Sequence, residues 1–329
     1  MNIVLIVLIV LLVVLVVFAA ILFYQKTCSR LFRSIFGRKE PIPKVDRSPV
    51  KIDQKTVFGK GKNWFYTTRQ EYINVRIDSF DNTKLSGYFR PSADRDSRFA
   101  VLLMHAYGEH PSETAAYARL MMNQIQCHVL IAHERAHQMS GGKYCTYGIY
   151  ESVDVMRWIG FLKRQIGEDV RIFIVGRGIG ATAALLAAQQ SDFPTEVAGI
   201  IADSPLANLK DYVRMKVRKA TRTDSNMIVN SLDKRFTDKL NADFSAGDAV
   251  HGAGRIRVPV LIFSGADDEI TTPDSVRRIY DELRCQKRML AVDHAAHLMA
   301  YDRAPASIER EVRRFVENCV VRLVSIGKM

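Results

Sequence analysis

The chain opens on an apolar run without a break. Ile3 to Phe23, 21 residues, holds only Ile, Val, Leu, Phe and Ala. As a helix it is about 30 Å long at about 1.5 Å per residue, the thickness of a bilayer core. A signal peptide needs basic residues ahead of a shorter apolar core, and no basic side chain precedes this run. Residues 1–25 therefore read as a single-pass transmembrane anchor. Further on the pattern shortens. Tyr72 to Ile77 alternates at period two, Asp81-Asn82 marks a turn, and Leu85 to Phe89 follows as a second strand, together a hairpin. Phe99 to Met104 is a continuous apolar run, as in a strand covered on both faces. Strands are also expected at 128–132, 170–175, 197–202, 258–263 and 288–292, and helices at 114–124, 181–190, 274–283 and 308–324. Between them Val155, Trp158, Ile159, Leu162 and Ile166 keep the spacing of an amphipathic helix. Strand–helix alternation predicts a mostly parallel sheet with helices on both faces. Residues 206–256, polar and rich in Lys, Arg and Asp, interrupt it as a helical insertion or lid.

Charge changes the picture at one place. The formal net charge is +12 over 329 residues. Eleven basic residues against three acids put +8 of it into residues 26–62. The excess is thus a juxtamembrane collar, and no recognisable nucleic-acid motif accompanies it. By the positive-inside rule the amino terminus lies outside and the large domain, 63–329, in the cytoplasm. Lys26, Arg30, Arg33, Arg38 and Lys39 are placed to meet anionic headgroups, at about 1 kcal/mol each. Pro41, Pro43 and Pro49 mark residues 40–50 as extended linker. Arg214, Lys216, Arg218, Lys219 and Arg222 form a second basic group inside the lid, read either as a solvated face or as one turned to a membrane or acidic ligand. Five widely spaced cysteines exclude a disulfide scaffold and any CxxC motif.

In such sheets chemistry gathers at the strand ends. His105-Ala106-Tyr107-Gly108 follows one strand and Gly176-Arg177-Gly178-Ile179-Gly180 another. Asp267-Asp268 and then Asp293 to His297 follow two later ones. An elbow, then an acid, then a histidine is the chain order of the α/β-hydrolase triad. From about Glu71 to Val324 the chain resembles the α/β-hydrolase family. It looks most like a bacterial, membrane-anchored branch related to serine aminopeptidase and monoacylglycerol-lipase types. Glu134 to His137 with Ser140, Gly142, Lys143 and Tyr144 stand at a characteristic family loop; Trp158 and Ala202-Asp203-Ser204-Pro205 match as well.

The resemblance implies Asp268 as the acid, His297 as the histidine, and the N–H groups of Tyr107 and Ile179 as an oxyanion hole. It also shows what has gone. The elbow pattern is G-x-S-x-G; Gly176 and Gly180 match it, but the nucleophile position holds Gly178, which has no side chain to attack a carbonyl. Ala106, Ala136 and Gln138 replace further family glycines. Arg177 puts either a cation or a long surface side chain beside the vacant position. Asp267 is a close alternative to Asp268, Asp293 and His294 are displaced readings of the histidine loop, and Ser140, Ser204, Cys145 and Thr182 are conceivable substitute nucleophiles.

His133-Glu134-Arg135-Ala136-His137 is also a literal H-E-x-x-H. On a helix it would hold zinc, with Glu151 or Asp154 as third ligand. A following Gln138 to Gly142 turn leaves little room for that helix, so no metal and no cofactor is expected. Three functions follow in order: a non-hydrolytic or impaired member binding a lipid-like or peptide-like ligand or a partner; a hydrolase in which Asp268–His297 activates water; and a zinc metalloprotease.

Overall fold

The structure, a computed structural model, describes residues 3–43 and 52–327. Most of the expected proline linker, Pro49 included, lies outside the described residues. The elements run α1 (Ile3–Phe36), α2 (Val57–Thr67), β1 (Ile73–Asp78), β2 (Lys84–Arg90), β3 (Phe99–Met104), α3 (Ala115–Gln124), β4 (Cys127–Ala132), α4 (Ile149–Ile166), β5 (Arg171–Arg177), α5 (Ile179–Ala188) and β6 (Val197–Asp203). They continue with α6 (Leu209–Thr221), α7 (Asn226–Leu240), β7 (Val260–Gly265), α8 (Pro273–Glu282), β8 (Lys287–Val292), α9 (Ala300–Arg303) and α10 (Pro305–Ser325). They form two compact units, Met1–Gly37 with Lys210–Phe244, and Arg38–Leu209 with Ser245–Met329.

The second unit is built on one eight-stranded sheet in the order β1-β2-β4-β3-β5-β6-β7-β8. β1 and β2 pair antiparallel, β2 meets β4 antiparallel, and β3 to β8 are parallel. This is the expected mostly parallel sheet with an antiparallel hairpin at its start. The central strands are apolar on both faces because both are covered. Ala100, Leu102, Ile172, Ile174, Ile200 and Ile262 pack on α4, α5 and α8. Val101, Leu103, Phe173, Val175, Leu261 and Phe263 pack on α2, α3 and α10. Parity along each strand thus sorts its side chains between two cores. Parallel strands also put their carboxyl ends on one edge, where the loops after β3, β5, β7 and β8 emerge.

In the first unit, α1 continues past the apolar run to Phe36. Residues 3–23 are exposed along the helix, and α1 is the one helix among the described residues long and apolar enough to cross a membrane. Beyond Tyr24 its character becomes amphipathic. Cys28, Phe32, Ile35 and Phe36 are buried at helical spacing, while Lys26, Arg30 and Arg33 are exposed. Phe36 meets Phe236 and Phe244 at centroid distances of 4.9 and 5.7 Å. Residues 206–256, expected as an insertion, contain α6 and α7.

Candidate active site

Asp268 follows β7 and is buried. Its Oδ1 accepts the N–H groups of Ile270 and Thr271, both at 2.8 Å. Its Oδ2 accepts the Thr271 hydroxyl at 2.7 Å and Nδ1–H of His297 at 2.7 Å. Burial pushes this carboxyl up, but the bond and charge of His297 and the Thr271 bonds outweigh it and hold it below its usual value. With Nδ1 committed to Asp268, the nitrogen of His297 left to take a proton is Nε2. The acid–histidine pair of the sequence is therefore assembled. The competing residues are elsewhere: Asp267 and His294 face each other on the surface at 3.8 Å. Thr271 completes the carboxylate's surroundings, and nothing in its sequence position marks it out.

The elbow is also formed. Gly178, between β5 and α5, has φ 51° and ψ −112°, a backbone conformation hostile to L side chains. Its N–H donates to Asp203 O at 2.8 Å and its carbonyl accepts Thr182 N–H at 3.0 Å. Gly180 is required by space, since a Cβ there would lie 2.5 Å from the Met104 carbonyl oxygen. Ile179 opens α5, where a helix leaves its first N–H groups without intrahelical partners. Residue 178 carries no side chain, and the space for one is partly taken. A Cβ on Gly178 would stand 3.0 Å from Cβ of Ala106 and 3.8 Å from Cδ2 of Leu298. Gly178 and Ala106 are thus neighbours.

Arg177 is neither a free cation nor a surface side chain. It is fully buried, with Nη1 donating to Glu109 at 2.8 Å, Nη2 to the Leu298 carbonyl at 3.0 Å, and Nε 3.4 Å from Asp203. Its guanidinium stacks 3.8 Å from the centroid of Phe58. Glu109 also accepts the Ala106 N–H at 3.1 Å, and Asp203 accepts the Tyr117 hydroxyl at 3.1 Å. Burial disfavours the charge on Arg177, but Glu109 and Asp203 outweigh it and hold the guanidinium more firmly protonated than usual. One side chain therefore ties the β3 loop, the elbow, the end of β6 and the histidine loop together. Glu109 gave no signal in the sequence, because a lone acid in a strand-end loop has no diagnostic spacing.

The H-E-x-x-H segment lies in a turn rather than a helix. His137 donates Nδ1–H to the Arg135 carbonyl at 2.9 Å and accepts Gly108 N–H on Nε2 at 3.0 Å. Both nitrogens are thus spent, and the segment does not fit a zinc pair. His105 is used in the same way, between the Ala106 carbonyl at 2.8 Å and Glu134 N–H at 3.0 Å. Arg135 forms a buried pair with Asp154, at 2.7 Å. Both Glu134 carboxylate oxygens are buried with no hydrogen-bond partner. Burial, then the charges of Glu151 and Asp154, push that carboxyl well up.

The substitute nucleophiles are otherwise engaged. Ser140 donates to the His133 carbonyl, Ser204 to Asp203, and Thr182 to the Gly178 carbonyl. Burial, reinforced by Glu151, pushes the Cys145 thiol well up, away from the reactive thiolate. Residues 38–40 cross the rim. Arg38 donates to the carbonyls of Gln138 and Ser140, and Lys39 lies 5.9 Å over the Tyr107 ring. Arg38 is thereby committed to this loop rather than to headgroups. A cavity of 810 Å³ opens elsewhere, among Tyr150, Met156, Arg157, Gln189 and Arg255. Neither Gly178 nor His297 lines it.

A sequence profile of the acetyl xylan esterase family matches residues 150–311. The uncharacterized protein YqkD of Bacillus subtilis is 26% identical over 260 residues, spanning 74% of this chain and 82% of that protein. Esterase Pf2001 of Pyrococcus furiosus superposes with a TM-score of 0.61 at 22% identity, over 84% of this chain and 99% of its own. Est1E of Butyrivibrio proteoclasticus, solved with ferulic acid bound, gives 0.57 at 17% identity, over 75% and 99%. A Pseudomonas aeruginosa hydrolase gives 0.55 at 17%, over 74% and 98%. The chain has the α/β-hydrolase fold.

Proposed function

We propose that this chain is a membrane-anchored α/β-hydrolase-fold protein that binds an ester-bearing, lipid-like ligand without forming an acyl-enzyme. The observation that carries the reading is Gly178: the elbow keeps its backbone geometry but has no side chain to donate. The ligand class draws on the esterase neighbours, one of them holding ferulic acid, and on an apolar helix that supplies a bilayer beside the chain. α1 acts as a single-pass anchor, and the basic collar places the sheet unit in the cytoplasm. A serine-directed fluorophosphonate leaves the protein unlabelled, and His297→Ala retains the lipids that co-purify with it. Labelling that maps to any serine would sink the reading.

A second reading has its own observation. The Asp268–His297 bond of 2.7 Å equips Nε2 to deprotonate water directly. On that reading purified protein turns over nitrophenyl esters slowly, and His297→Ala abolishes the turnover. Silence of both proteins leaves the binder.

A further inference from the structure

Tyr24 follows directly on Phe23, the last residue of the apolar run. Tyrosine favours this level of a membrane, its ring in the boundary and its hydroxyl in water. Here the hydroxyl is bonded to the first turns of α7: it donates to the Met227 carbonyl at 3.0 Å and lies 2.7 Å from the Ser231 hydroxyl. Further along, Arg235 bonds Gln25 and Ser29, and Phe236 packs on Phe36. α7 therefore runs alongside α1 in the same direction, and its amino end is the end next to the apolar run. The turn between α6 and α7 is held at that level too.

That turn has the composition of a membrane-contacting tip. Met227 is 64% exposed. Arg218, Lys219 and Arg222 are exposed, and none forms an ion pair among the described residues. The segment 214–228 holds five basic residues and one acid, Asp224, which pairs with Arg214 at 3.4 Å. On α1 itself Lys26 is exposed two residues beyond Tyr24. A leaflet's headgroup layer is about 5–7 Å thick, so a carbonyl bonded to the Tyr24 hydroxyl lies within or beside it.

We propose that the α6–α7 tip is a second membrane-contact surface, resting on anionic lipid headgroups with Met227 reaching into the apolar boundary. The inference rests on the anchor reading above and adds a partner to it. Charge complementarity selects anionic lipid, and continuity with α1 selects the bilayer over a soluble acidic protein. The lid's basic group, whose two readings the sequence left open, is thereby assigned to the membrane.

The test uses the full chain in nanodiscs. Met227→Trp supplies a reporter, with the unsubstituted protein as background for Trp64 and Trp158; Asn226→Trp is a second reporter on the same turn. Quenching of the added fluorescence by brominated lipid rises about twofold or more when phosphatidylglycerol replaces part of the phosphatidylcholine, and quenching by aqueous acrylamide falls. Arg218→Gln, Lys219→Gln and Arg222→Gln together abolish the lipid dependence. Reporters at both positions that acrylamide reaches equally in the two lipid mixtures overturn the surface and leave the anchor standing. A chain that alkaline carbonate strips from membranes overturns the anchor reading and the surface with it.

Discussion

Placing a serine at residue 178 is the most demanding test of the site. Gly178→Ser must place a Cβ 3.0 Å from that of Ala106, where carbon contacts are comfortable at about 3.5–4.0 Å. It must also hold a non-glycine residue at φ 51° and ψ −112°, a strain of about 1–3 kcal/mol. Overpacking adds about 1–3 kcal/mol unless the β3 loop retreats. That loop cannot move freely, since Ala106 N–H is bonded to Glu109, which is bonded to Arg177. A retreat of even 1 Å would misplace serine and histidine and lower reactivity about 100-fold. Gly178→Ser alone is therefore expected to lose stability and to react feebly with a fluorophosphonate. Adding Ala106→Gly removes the opposing methyl, and labelling is expected to rise at least about 10-fold while stability does not fall further than about 1 kcal/mol. Labelling rates are read by in-gel fluorescence, and stability by thermal melts. Equal labelling of the single and double variants refutes the argument that Ala106 obstructs the nucleophile. Silence of both, with native circular dichroism, shows that His297 is not aligned with the elbow.

Three further outcomes follow from buried groups. Arg177→Met leaves Glu109 and Asp203 without their cation, and should lower stability by about 3–5 kcal/mol; a chemical-denaturation midpoint unchanged from that of the parent would refute the buried pair. His105 and His137 are pushed below the ordinary value of 6.5, chiefly by burial. The unfolded chain takes up protons there that the folded chain refuses, so stability falls as pH drops from about 6.5, by at most about 1.4 kcal/mol per pH unit per histidine; His105→Gln should flatten that slope in melts between neutral and mildly acidic pH. Glu134, whose carboxyl burial pushes well up, should tolerate Glu134→Gln within about 1 kcal/mol at neutral pH; a drop of several degrees in melting temperature would mean that the carboxylate is needed there.

Much of the architecture was legible because each element announces itself locally. The unbroken run to Phe23 and the period-two hairpin each rest on one chemical requirement, apolar cover on one or both faces. The order of elbow, acid and histidine located Gly178, Asp268 and His297, since strand ends precede each of them. The amphipathic half of helix α1, with Cys28 and Phe32 on the buried side, becomes visible only against α7. For the literal H-E-x-x-H the turn that follows already argues against a helix, but spacing cannot show that His137 has spent both nitrogens on backbone groups.

The sequence by itself determined the fold class, the apolar helix and the absence of a side chain at residue 178. These depend on composition and short-range pattern. Only the tertiary structure decided that Asp268 rather than Asp267 meets the histidine, that Arg177 is a buried tie between four loops, and that Ala106 fills part of the space beside Gly178. Those are contacts between residues tens to more than a hundred positions apart. Their partners are chosen by where parallel strands end on one sheet edge, and no local periodicity records that choice.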